Sequence, residues 1–156
     1  MAKKTIVLFS GDYDKVMAAL IIANGAAAMD DEVTIFFTFW GLSALRKEQA
    51  PATKKTKLQR AFSAMLPKGP EKLGMSKMNF MGAGPVMMKK AMKAENAMTV
   101  AELLATAQEQ GIKMIVCTMS MDVLGIKREE LIDGLEYAGV ATYLGEADEA
   151  NVNLFI

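Results

Sequence analysis

Histidine is absent from the 156 residues, and cysteine occurs once, at Cys117. The first absence removes Ser-His-Asp and Cys-His activation of a nucleophile, histidine-containing zinc sites and the usual general base near neutral pH. The second removes an intramolecular disulfide, Cys-x-x-Cys redox chemistry and thiolate zinc sites. Net charge is missing too: 18 Lys and Arg balance 18 Asp and Glu, which excludes a chain that is basic overall. The longest apolar stretch, Val16 to Met29, is interrupted by Asn24-Gly25 and falls short of the about 20 residues a membrane span needs. Met1-Ala2-Lys3-Lys4-Thr5 leads straight into a strand without a signal-peptide cleavage pattern, so the expected compartment is the reducing cytoplasm. No metal and no cofactor is expected.

What is present is apolar: hydrophobic residues make up 52%, enough at this length for one domain, residues 1–156, with a sheet covered on both faces. Lys4–Ser10 and Glu32–Gly41 read as strands that end at the glycine turns Gly11 and Gly41. Between them, Val16 to Met29 is apolar nearly all round. It reads as a helix, capped by Asp12 or Asp14, buried between the sheet and either another helix or another subunit. Gly74 to Pro85 is expected to hold a short strand and a Gly82-Ala83-Gly84 turn, with Pro85 in the first turn of a helix carrying Met87, Met88 and Met92. Thr99-Val100-Ala101-Glu102 is a capping box for a helix that Gly111 stops. A short strand from Met114, a helix over 127–135, a strand over 139–144, a helical turn over 146–150 and a closing strand over 152–156 follow. Strand and helix alternate, which predicts an α/β fold with a largely parallel sheet of five or six strands.

Composition shifts between Arg46 and Lys77, where nine Lys or Arg, half of the chain's total, meet only Glu48 and Glu71. Within this basic insertion, about 46–77, Leu58, Ala61, Phe62, Met65 and Leu66 form one stripe of an amphipathic helix. The segment is either a surface helix with solvated charges or a docking arm for a partner protein, an anionic ligand or, through 54–66, an anionic membrane surface. Nucleic acid is not an expected partner, because aromatic residues are not interleaved with the charges. The 14 methionines read as adaptable core or oligomer interface rather than as a copper(I) site.

Chemistry concentrates where Ile112-Lys113-Met114-Ile115-Val116 reaches Cys117-Thr118-Met119-Ser120-Met121-Asp122. Cys117 is placed at the C-terminal end of a parallel strand, the rim where ligands gather in open α/β sheets. Thr118 or Ser120 would cap a following helix, whose positive end favours the thiolate over the thiol. The same position also suits a buried cysteine that only fills space. Gly11 and Gly41 share that rim if the strands are parallel, as close-approach points or as plain turns. Trp40 either walls a pocket or packs in the core.

These residues resemble a known family. Cys117 to Ile126, Phe37-Thr38-Phe39-Trp40-Gly41-Leu42-Ser43-Ala44-Leu45, the Gly74-Met75 to Met81 segment and the terminal Leu154-Phe155-Ile156 are similar to the DsrE/DsrF-like proteins. More closely, the chain resembles the branch of peroxiredoxin-like or DsrE-related sulfur carriers, and the likeness covers nearly the whole chain. The resemblance implies a three-layer α/β/α fold, a homo-oligomer such as a trimer or hexamer, and a Cys117 that carries sulfane sulfur as a persulfide or thiosulfate as an S-adduct. Partners would be sulfur donors and acceptors. Thr118, Met119, Ser120, Gly11, Gly41 and Trp40 would line the sulfur-anion site, while Asp122 is expected to cap or pair outward. With no second cysteine to resolve a disulfide, sulfur would pass to another protein. The competing expectation is a non-catalytic oligomer that binds a nucleotide or small anion at Gly11, Gly41 and Gly84, with Cys117 purely structural.

Overall fold

The computed structural model describes residues 1–156. Five parallel strands, β1 (Lys3–Leu8), β2 (Glu32–Phe37), β3 (Lys113–Cys117), β4 (Glu136–Ala138) and β5 (Val152–Phe155), form one sheet in the order β4-β3-β2-β1-β5. Pairing of Ile6 with Ile35, Ile35 with Met114 and Ile115 with Glu136 fixes which side chains share a face. Because side chains alternate along a strand, the sheet has two distinct apolar faces.

One face carries Ile6, Leu8, Val33, Ile35, Phe37, Met114 and Val116, all within the main core of 27 buried residues. Helices α1 (Tyr13–Ala27) and α4 (Val100–Glu109) cover it. Thr99 and Glu102 close the capping box at the start of α4, satisfying end donors that would otherwise lack partners. Asp12 occupies the cap position of α1 without a side-chain bond, and Asp14 instead accepts from Ser76 on the segment that follows α2 (Lys57–Met65). The opposite face carries Thr5, Val7, Thr34, Phe36, Ile115 and Cys117. It is crossed by α6 (Val140–Asp148), since β4 and β5 lie at opposite edges and α6 is the link between them.

Four expectations about elements are corrected. Residues 139–144 are not a strand but the start of α6; the edge strand β4 lies just upstream. Val140 and Tyr143 had the side chains of a strand, but the helix places Tyr143 against Phe36. The helix expected over 127–135 is only a 3-10 turn, Arg128–Glu130. The backbone of Leu131 and Ile132 is captured instead by the 45–46 segment, through an isolated bridge to Arg46 and a bond from the Ile132 amide to the Leu45 carbonyl. No strand forms in 74–82, where Met78, Phe80 and Met81 all have positive φ and lead into α3 (Ala83–Ala94). The second strand stops at Phe37, because Phe39 adopts φ +44° and turns the chain into a 3-10 segment, Phe39–Leu45.

The helix predicted around 58–66 forms as α2, with Thr56 and Gln59 in a capping box. Its apolar stripe faces outward. Leu58 is 68% and Met65 84% exposed, and the residue it buries is Ser63. No helix of the chain is long and apolar enough to cross a membrane.

Candidate functional site

Cys117 is the last residue of β3 and the N-cap of α5 (Thr118–Leu124), with backbone angles of −68° and 113°. The expected cap by Thr118 or Ser120 is not made: Cys117 itself holds the cap position and both residues lie inside the helix, so its first-turn amides lie beside the thiol without a side-chain acceptor. The residue is 4% exposed and packs with Phe36 and Ile115, under Val7, Ala138 and Tyr143. Tyr143 stacks on Phe36 with ring centroids 5.1 Å apart, which makes α6 the cover of this face. Glu146 pins that cover, reaching Lys113 at 2.7 Å and Lys3 at 2.8 Å. The Lys113 hydrogen bond, with that of Lys3, holds the Glu146 carboxyl below its usual range, and Lys3 and Lys113 are raised in turn.

Ser120 is fully buried, and its hydroxyl is committed to the end of β2. It accepts from the Phe39 amide at 3.0 Å and shares a 2.9 Å hydrogen bond with the Thr38 hydroxyl. These contacts hold Phe39 at its φ of +44°, a conformation costly for an aromatic residue and one that needs surrounding structure to persist. Thr118 is half-buried and lines a depression of about 310 Å³ with Asp122, Lys127 and Arg128. Met119 is exposed on the outer side of α5. Asp122 is exposed as well, and its carbonyl accepts from Gln59 of α2 at 3.0 Å.

Gly11 and Gly41 sit at the same rim, packed against neighbouring backbone. A Cβ on Gly41 would lie 2.2 Å from the Leu8 carbonyl oxygen, and one on Gly11 would lie 2.5 Å from that of Trp40. Both positions therefore require glycine for the loop after β1 to meet the turn after β2. Gly11, Trp40, Phe9 and Lys15 line a second depression of about 310 Å³. The structure thus brings Cys117, Thr118 and Ser120 together on one strand-to-helix junction and places Gly11, Gly41 and Trp40 on the adjoining rim; Cys117 lines neither depression.

Three contributors escaped sequence reasoning. Phe39 belongs to an aromatic row along the rim, 5.8 Å from Phe9 and 6.2 Å from Trp40, and Phe9 stacks on Phe155 at 5.7 Å. Thr38 anchors Ser120, and Tyr143 covers the cysteine layer. The first two lay inside what read as a continuous strand, and the third in a segment read as strand rather than helix.

The sequence profile of the DsrE/DsrF/DrsH-like family matches residues 1–155. The chain belongs to this family. Among its relatives, an uncharacterized protein, YrkE, of Bacillus subtilis (strain 168) is 59% identical over 154 residues, covering 99% of this chain and 96% of its own length. The sulfur carrier protein DsrE2 of Allochromatium vinosum is 36% identical over 158 residues, covering 99% and 98%. Two solved structures share the fold of this DsrE-like chain. The YchN protein from E. coli superposes with a TM-score of 0.56 at 12% identity, covering 99% of both chains. MTH1491 from Methanobacterium thermoautotrophicum gives 0.57 at 11% identity, covering 100% of both.

Proposed function

We propose that the protein is a sulfur carrier in which Cys117 accepts sulfane sulfur as a persulfide and passes it to a partner thiol. The observation that carries this reading is the position of the chain's one thiol, at a strand end and against the uncapped first turn of α5, in a chain 36% identical to a sulfur carrier protein. In loading, the Cys117 thiolate attacks the outer sulfur of a donor persulfide. The donor's S–S bond breaks, a new one forms on Cys117, and the donor leaves as its thiolate, with no net oxidation. Unloading is the same exchange run by an acceptor thiolate. Tetrathionate would load differently: attack on an inner sulfur expels thiosulfate and leaves an S-thiosulfonate on Cys117. Thr118 and the α5 amides are the groups nearest in sequence for an extra sulfur anion, and Ser120 acts by holding Thr38 and Phe39 in place.

Copies of the chain are proposed to associate through apolar residues left exposed, among them Ile21 of α1, Val123 of α5 and Leu144 of α6. The outward stripe of α2, flanked by Lys54, Lys57 and Arg60, is the surface proposed for peripheral contact with an anionic membrane, and sedimentation with anionic vesicles at two salt concentrations tests it.

Burial favours one other reading, in which Cys117 is structural and the protein a non-catalytic scaffold. Loading with polysulfide, desalting and adding dithiothreitol separates the two. The carrier releases about one sulfide per chain and Cys117→Ala releases none; equal release from both proteins would leave the scaffold.

A further inference from the structure

A second site lies away from Cys117, between the strap 46–56 and α2. Its cavity of about 370 Å³ is lined by five cations, Arg46, Lys47, Lys55, Arg60 and Lys68, against the carboxylates of Glu48 and Glu130. The charges at its base do not balance. Arg46 and Lys55, with side chains 2% and 10% exposed, both pair with a single oxygen of Glu130, at 3.2 and 2.8 Å. The other Glu130 oxygen accepts the Lys127 amide at 2.8 Å. One carboxylate therefore faces two largely buried cations, which leaves an excess positive charge at the base of the cavity; Lys55 also donates to the Ser63 hydroxyl at 3.0 Å. Arg46 spends one terminal nitrogen on the carbonyls of Ser63, Leu66 and Pro67 at the end of α2, and its Nε is buried without any acceptor. Around the mouth, Lys47, Arg60 and Lys68 make no ion pair, so three further cations are free.

A structural role for Arg46 explains the bonds to α2 but not the surplus charge, the orphaned Nε or the free cations around an open cavity. An uncompensated buried cation is costly, and an anion of matching charge relieves it. We infer that this cavity binds a small tetrahedral dianion. Charge-assisted bonds from the guanidinium of Arg60 and the ammonium groups of Lys47 and Lys68 are the recognition chemistry. A phosphate group and a sulfur oxyanion share that chemistry. The site goes beyond the sulfur-carrier reading and does not involve Cys117.

The test is isothermal titration calorimetry of the full chain with inorganic phosphate, glycerol phosphate, sulfate and thiosulfate, in chloride buffers of matched ionic strength. Saturable one-to-one binding is expected for at least one of them; preference for the phosphates or for thiosulfate identifies the source. The double variant Arg60→Ala/Lys68→Ala, whose substitutions lie at the exposed mouth, should weaken binding at least about tenfold. Lys72→Ala/Lys77→Ala, in the same basic segment but not lining the cavity, and Cys117→Ala should bind as wild type does. Absence of saturable binding by all four anions would overturn the inference. So would equal losses in the two double variants, which would mean diffuse charge attraction.

Discussion

Ser120 ties α5 to the turn after β2 with one hydroxyl, and that makes it a sharper probe of the site than its neighbours. Ser120→Ala leaves the partly buried Phe39 amide without its acceptor and frees Thr38, so it should cost about 1 kcal/mol or more in denaturant unfolding. It should also slow persulfide loading without preventing it, because Cys117 is untouched. The sequence marked Cys117, Thr118 and Ser120 through a residue pattern that a strand-to-helix junction requires, and the junction is there. The task of Ser120 was not legible. Its partners Thr38 and Phe39 lie about 80 residues earlier, and the left-handed turn at Phe39 breaks a run that looks like uninterrupted strand. Gly11 and Gly41 were visible as turns, but the reason each must be glycine is the carbonyl of a different loop.

Among the elements, α6 lies over the sheet face that holds the thiol, with Tyr143 packed on the cluster of Phe36, Ile115 and Cys117. Glu146 fixes it to β1 and β3, so Glu146→Gln should loosen the cover and raise the alkylation rate of native Cys117, with little change in the denatured chain. Acid should act in the same direction. The Glu146 carboxyl titrates below its unfolded value of about 4.5, so its stabilising contribution is complete above that pH. The contribution is lost as pH falls through the lower native value.

Glu130 behaves alike for a different reason. Burial pushes its carboxyl up, but the Lys55 ammonium, the Lys127 amide and Arg46 outweigh burial and hold it below the usual range. Glu130→Gln leaves two buried cations without their counter-charge and should destabilise the fold by about 3 kcal/mol in denaturant titration. An anion bound in the cavity that Glu130 lines should reduce that loss. Helices α1, α2 and α4 were legible from local signals, the apolar run of α1, the stripe of α2 and the capping box of α4, although α1 forms without the expected Asp12 or Asp14 side-chain cap. Strand β4 and helix α6 were not, because Val140 to Tyr143 favours either state and the sheet edge decides.

At the scale of the molecule, alternation of strand and helix was enough to give a parallel sheet, and the observed order β4-β3-β2-β1-β5 brings the ends of β1, β2 and β3 to one rim. The face opposite the main core is thinly covered, with Val140 58%, Leu144 51% and Phe155 71% exposed around a single short helix. Apolar surface of this kind on several elements fits a protein that works as an assembly. Light scattering coupled to gel filtration should give a mass that is a multiple of 16.9 kDa, three or six copies being the expected numbers; a monomer would contradict it.

The central claim rests on one sulfur atom, and intact-protein mass spectrometry weighs it directly. After incubation with polysulfide or tetrathionate, the native protein should gain one sulfur or one thiosulfonate group. Reductant should remove it, and Cys117→Ala should gain nothing. If the native chain takes up nothing from either donor while the denatured chain reacts freely, Cys117 is structural and the carrier account fails.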